Sequence, residues 1–271
     1  MGMLFMFAGG GTLIATLRAL RGPGLAFLLG LTLLTTPGYL EYGVSQYADL
    51  PLAVYILCTV VLLCLYFEEP DTRRGLLVLA GFTTGCAGWT KNEGELFILA
   101  TSSVLLLPAL ARPMPALRRF AAFFMGLAPP LAVIAFFKIT IAPPGDFPGN
   151  RNYQELMGQV LNPDRYLTIL ASFGSHFWPF GGWIISPVIP LLVFIALRGI
   201  DRKAINGYGW ATGVGALAIQ LAGYYAVYVI TPMELRWHID SSLDRLLLQV
   251  WPSALLLAGL AVQASRPDAP I

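Results

Sequence analysis

Residues 50–67 read LPLAVYILCTVVLLCLYF, an apolar run without one charged side chain. Coiled as a helix, a run of this kind suits a bilayer, whose hydrocarbon core of about 30 Å is crossed by about 20 apolar residues. Similar runs recur at 2–17, 23–37, 75–90, 96–110, 120–142, 179–198, 207–230 and 246–263, so the sequence predicts nine spans. Only 12% of the 271 residues are charged and 56% are hydrophobic, with a mean hydropathy of +0.69. A soluble domain of ordinary composition is about 25% charged. The expected fold is all-α: a polytopic transmembrane helix bundle of about nine spans, forming a single integral membrane domain over residues 1–271.

A net charge of +2, with basic residues scattered singly or in pairs, excludes a nucleic-acid partner. Cys58, Cys64 and Cys86 all lie inside apolar runs with no CxxC spacing, and read as packing residues. Lysine and arginine instead carry information about orientation. One set of connections holds Arg18, Arg21, Arg73, Arg74, Arg112, Arg118, Arg119, Arg198, Arg202, Lys203 and Arg266, and is expected to be cytoplasmic. The other set holds Lys91, Arg151, Arg165, Arg236 and Arg245 in longer, more polar segments, expected outside. This alternation puts Met1 on the outer face with no signal peptide before it. An upstream span missing from this chain would explain that placement.

Four connections face outward in this scheme: 38–49, 91–95, 143–178 and 231–245. The first, GYLEYGVSQYADLP, offers interfacial tyrosines and Asp49, close to the start of a helix whose first turn takes Pro51. The second, GWTKNEGE, places Lys91, Glu93 and Glu95 where a plain turn would need only Asn92 and Gly94. The third begins PPGDFPGNRNY and continues with the spacing of one short amphipathic helix lying along the surface. In it His176, beside Phe177 and Trp178, reads as a member of the interfacial aromatic belt. The fourth packs Glu234, Arg236, His238, Asp240, Asp244 and Arg245 into the densest titratable group of the chain. Lys138 lies near an outer helix end, where its long side chain can snorkel to water.

Three segments, YADLPLAVYILCTVVLLCLY (47–66), GFTTGCAGWTKNEGELFILA (81–100) and RWHIDSSLDRLLLQVWP (236–252), resemble those of bacterial C-type membrane glycosyltransferases. The likeness is to the dolichyl-phosphate-mannose protein mannosyltransferase-like group, and extends from about residue 25 to 263. It implies an inverting enzyme of the bacterial plasma (inner) membrane, with its site facing outward. Such an enzyme takes a sugar from a polyprenyl-phosphate carrier and gives it to a glycan, lipid or protein acceptor. The family also carries an acidic residue in an outer loop after its first span, and this sequence has no counterpart of that loop. Residue by residue, Asp49 matches the acid of the family's second outer loop, as base or metal ligand. Lys91, with Glu93 beside it, matches the basic residue of a later loop, while His238 and Arg245 match the last outer loop, where carrier phosphate is held. Arg236 and Asp244, their neighbours in the same segment, join the expected substrate contacts.

The chemistry needs these residue types. Loss of a phosphate leaving group requires lysine, arginine or a divalent cation to receive the developing charge. The acceptor hydroxyl must yield its proton to a carboxylate or imidazole on the opposite face of the sugar. Mg²⁺ or Mn²⁺ would want several oxygen ligands, and Asp49 supplies one. Two other readings stand beside the enzyme: a lipid or solute transporter or flippase, and a non-catalytic fragment of a glycosyltransferase. A transporter is expected to place charge near the membrane midplane and to show internal repeats, which this sequence lacks.

Overall fold

The computed structural model describes residues 2–45, 47–70, 72–143, 153–183 and 186–264, and the described residues are almost wholly helical. Arg151 and Arg266, assigned above to opposite sides, lie outside them. Among the described residues thirteen α-helices follow one another. The first seven are α1 (Gly2–Arg21), α2 (Pro23–Leu34), α3 (Pro37–Val44), α4 (Asp49–Glu68), α5 (Arg74–Thr90), α6 (Asn92–Leu106) and α7 (Pro113–Thr140). The rest are α8 (Tyr153–Val160), α9 (Pro163–Phe177), α10 (Val188–Arg198), α11 (Arg202–Ile205), α12 (Tyr208–Ile230) and α13 (Leu235–Ala261). Proline opens α2, α3, α7 and α9, where its missing N–H costs nothing and its fixed φ suits the first turn.

Among the described residues six helices are long and apolar enough to cross a membrane: α1, α4, α6 with the 3-10 turn that extends it to Leu110, α7, α12 and α13. The count is seven if α2 and α3, bent by 61°, form one broken span. All nine predicted segments contain helix, but three are short. Helix α5 has 17 residues, α2 has 12, and α10 covers only 11 of the predicted 179–198 span. Ahead of α10 the chain turns through Gly181 and Gly182, both at positive φ, which a continuous helix cannot contain.

The predicted outer connections also differ. Residues 38–44 form α3 rather than a loop, because Pro37 starts a new helix where it cannot continue the old one. The second connection shrinks to Lys91, since Gly94 sits directly on the backbone of α5: a Cβ there would lie 1.9 Å from Ala87 O. The one expected surface helix is two, broken before Pro163, with Asn162 accepting a bond from Asp164 N at 3.0 Å. The charged segment from 235 onward belongs to α13, capped by Glu234, which accepts from Arg236 N and Trp237 N.

The core holds Leu13, Leu29, Leu50, Ile56, Tyr224, Leu243 and Leu256 at its centre, where α1, α2, α4, α12 and α13 meet. Helices α5 and α7 pack backbone to backbone: a Cβ on Gly126 would lie 1.7 Å from Val78 O, and one on Gly81 1.9 Å from Phe123 O. Small residues permit this approach, which gains dispersion where no hydrophobic force acts between helices in lipid. Successive long helices run in opposite directions, so the connections gather at two ends. One end joins Arg21 to Asp201 at 2.7 Å and to Leu260 O. Toward the other end, the starts of α4 and α6 are joined to each other and to the interiors of α12 and α13.

Candidate functional site

Asp49 begins α4 and is only 1% exposed, at the start of a helix with no other charged residue before Glu68. A buried carboxylate is tolerated only when paired and hydrogen-bonded. Both conditions are met. Lys91 Nζ lies 2.8 Å from Oδ1, and Gln249 Nε2 donates to the same oxygen at 2.5 Å. The other oxygen, Oδ2, is buried without a hydrogen-bond partner and faces Arg245 Nη1 at 4.0 Å.

From Asp49 the contacts run in both directions. Lys91 reaches on to Glu93 Oε1 at 2.8 Å. On the other side Gln249 accepts from the Tyr224 hydroxyl at 2.5 Å, and that hydroxyl accepts from Gln220 Nε2 at 2.8 Å. Gln220 Nε2 also donates to the backbone carbonyl of Glu93 at 2.8 Å. The contacts therefore close into a ring, Asp49–Lys91–Glu93–Gln220–Tyr224–Gln249, which ties together the starts of α4 and α6 and the interiors of α12 and α13.

Arg245 stands beside the ring. Its guanidinium lies over the Tyr47 ring at 5.4 Å from the centroid, and its Nε is buried with no partner. On the other flank a cavity of about 1010 Å³ opens between α6, α7, α12 and α13. Glu93, Tyr228, His238 and Ser242 line it, together with Lys138 and Glu95, which form an ion pair across α6 and α7. His238 Nδ1 bonds Thr231 Oγ1 at 2.8 Å, and its ring stands edge-on to Tyr228. Glu234, at the N-cap, accepts from the Trp237 and Arg236 amides, which hold its carboxyl below the usual range.

Of the residues singled out in the sequence, the structure brings Asp49, Lys91, Glu93 and Arg245 together and places His238 on the cavity wall. Arg236 and Asp244 are exposed on α13 and make no ion pair among the described residues. His176 bonds Ser172 O through Nδ1 at 2.9 Å and lies 3.9 Å from Asp240. The sequence reading missed Gln220, Tyr224 and Gln249. Their signal was an amide side chain deep within an apolar span, which a search for charge passes over. It also left Lys138 as a snorkelling residue.

A divalent cation does not fit at Asp49. No three His, Cys, Asp or Glu side chains among the described residues gather to hold a metal, and Asp49 is flanked by the cations of Lys91 and Arg245. The positions that co-ligands would take are held by positive charge, so the chemistry below uses the side chains alone.

No protein-family model matches the chain, and no curated protein matches it significantly. Among solved structures, the apo crystal structure of ArnT from Cupriavidus metallidurans matches with a TM-score of 0.52 at 18% identity, covering 95% of this chain. The likeness shows the fold: an all-α bundle of membrane-crossing helices like that of ArnT. The chain spans 44% of ArnT's length.

Proposed function

We propose that this chain is part of a membrane glycosyltransferase that takes a sugar from a polyprenyl-phosphate carrier and transfers it, with inversion, to an acceptor on the extracytoplasmic face. The observation that carries the reading is the meeting of Lys91 and Arg245 around the buried Asp49, beside a cavity of about 1010 Å³, in a bundle folded like that of ArnT. Two cations at a membrane helix end, one with an unpartnered N–H, suit a phosphate oxygen that gains charge as the sugar–oxygen bond breaks. Asp49 keeps them apart and in place, a role for which its burial suits it better than for direct contact with an acceptor. The three sequence segments that resemble the protein mannosyltransferase-like group supply these residues, which supports a polyprenyl-phosphate donor and an outward-facing site in a bacterial plasma membrane.

Proteoliposomes holding the protein and a radiolabelled polyprenyl-phosphate sugar test this. Release of polyprenyl phosphate with label moving to acceptor is expected. Arg245→Ala should lower kcat/KM by roughly 100-fold, the loss of one charge-stabilising donor. Unaltered release in that variant would refute the phosphate role. Gln220 and Gln249 lie well inside apolar helices, as polar groups of transporters do. Carrier sugar that crosses the bilayer without being consumed would select the transporter reading instead.

A further inference from the structure

Resting on that transferase reading, we infer that Glu93 is the group that takes the proton from the acceptor hydroxyl, and that the buried ring exists to hold it in place. Two carboxylates belong to the ring, and they differ in access. Asp49 is 1% exposed, both its oxygens are enclosed, and it is fixed by Lys91 and Gln249. Glu93 keeps 24% of its side chain exposed and lines the cavity, so an acceptor entering there meets this acid and not the other.

Glu93 is also held from two directions. Gln220 Nε2 grips its backbone carbonyl at 2.8 Å, and Lys91 Nζ meets its carboxylate at 2.8 Å. Gln220 is in turn oriented by Tyr224, and Lys91 by Asp49, which Gln249 fixes. The ring therefore reaches Glu93 from two sides, at its carboxylate and at its backbone carbonyl. A base held within a few tenths of an ångström of its working position is what proximity catalysis requires. Of the other titratable groups on this wall, Glu95 is paired with Lys138 outside the ring, and His238 has Nδ1 engaged by Thr231 and lies on α13, also outside the ring.

In the step itself the acceptor O–H bond breaks and its proton passes to a Glu93 carboxylate oxygen. The acceptor oxygen forms the new bond to the anomeric carbon as the bond from that carbon to the phosphate oxygen breaks. The electron pair of that bond stays on the phosphate, beside Arg245, on the side of the sugar away from Glu93, while Lys91 stays with the two carboxylates. Glu93 then returns its proton to water through the open cavity.

The test uses the full protein in proteoliposomes, with Glu93→Ala, Glu93→Gln, His238→Ala and Tyr224→Phe. Glu93→Ala and Glu93→Gln are expected to lose kcat by about 100-fold or more with little change in donor KM. Added formate should restore part of the rate of Glu93→Ala, because a small carboxylate can fill the vacated place, while Glu93→Gln stays inert. Tyr224→Phe, acting only through position, should lose roughly 10-fold or more in kcat and gain nothing from formate. Active Glu93 variants, or rescue confined to His238→Ala by imidazole, would overturn the assignment of the base. A silent wild-type protein would instead overturn the transferase reading on which it rests.

Discussion

At the scale of single residues, the ring around Asp49 is a buried polar network whose members depend on one another. The Tyr224 hydroxyl both donates to Gln249 and accepts from Gln220, so Tyr224→Phe leaves two amides unsatisfied in an apolar interior. A loss of about 1–3 kcal/mol in stability is expected, measured as unfolding in detergent. Gln249→Leu should cost a similar amount, and the double variant less than the sum, because both changes break the same relay. Strict additivity would mean that the contacts are independent. Part of this site was legible in the sequence: Asp49, Lys91, Glu93 and Arg245 stand out as charges at the edges of apolar runs. The glutamines did not, because an amide inside a span shows no charge and the tyrosine between them reads as an aromatic packing residue. Which carboxylate reaches the cavity was also illegible, since access depends on how four helices converge.

At the scale of elements, Arg165 shows how a surface helix is fastened to the bundle. Its guanidinium donates to Val229 O at 2.7 Å, Tyr228 O at 3.0 Å and Thr231 O at 3.1 Å, carbonyls left open at the end of α12. A cation there also complements the negative end of the helix dipole. Arg165→Ala should release α9 while leaving the bundle folded, seen as faster amide exchange across Pro163–Phe177 with the core protection unchanged. Equal loosening of α4 and α13 would contradict this local role. The contact of α5 with α7 is different in kind. Gly126→Leu must push the two backbones apart, and is expected to cost more than about 3 kcal/mol and to sharply reduce recovery of folded protein. The lengths of α4, α5 and α12 were read well from apolar runs, but the break between α2 and α3, the split of α8 from α9 and the shortness of α10 were not. Each follows from a proline or a positive-φ glycine inside a stretch that remains apolar throughout.

At the scale of the whole molecule, the end opposite the site is closed by Arg21, which joins the first helix to Asp201 and to the last turn of α13. Asp201 also caps α11, and bonds from the Ala204 amide, with help from Arg21, hold its carboxyl below the usual range. A carboxyl lowered by folding contributes stability above its unfolded pKa of about 3.9 and loses it as pH falls through its folded value. The unfolding temperature should therefore drop on acidification below about pH 4 in the wild type, and less so in Asp201→Asn, which has no proton to gain. Equal acid sensitivity in the two proteins would assign it to other carboxylates.

The short helices bear on the surrounding lipid. At about 1.5 Å per residue, the 12 residues of α2 rise roughly 18 Å and the 17 of α5 roughly 25 Å, against about 30 Å of hydrocarbon. A bilayer meeting these helices must thin around them or leave apolar surface in contact with water. Thinning would draw lipid headgroups inward on the side where α5 ends, at Lys91. On the proposed transferase reading, a carrier phosphate then reaches the site without being dragged through the full depth of the headgroup layer. Acyl-chain length thereby becomes a control on the protein: turnover is expected to be faster in thin-membrane vesicles than in thick ones.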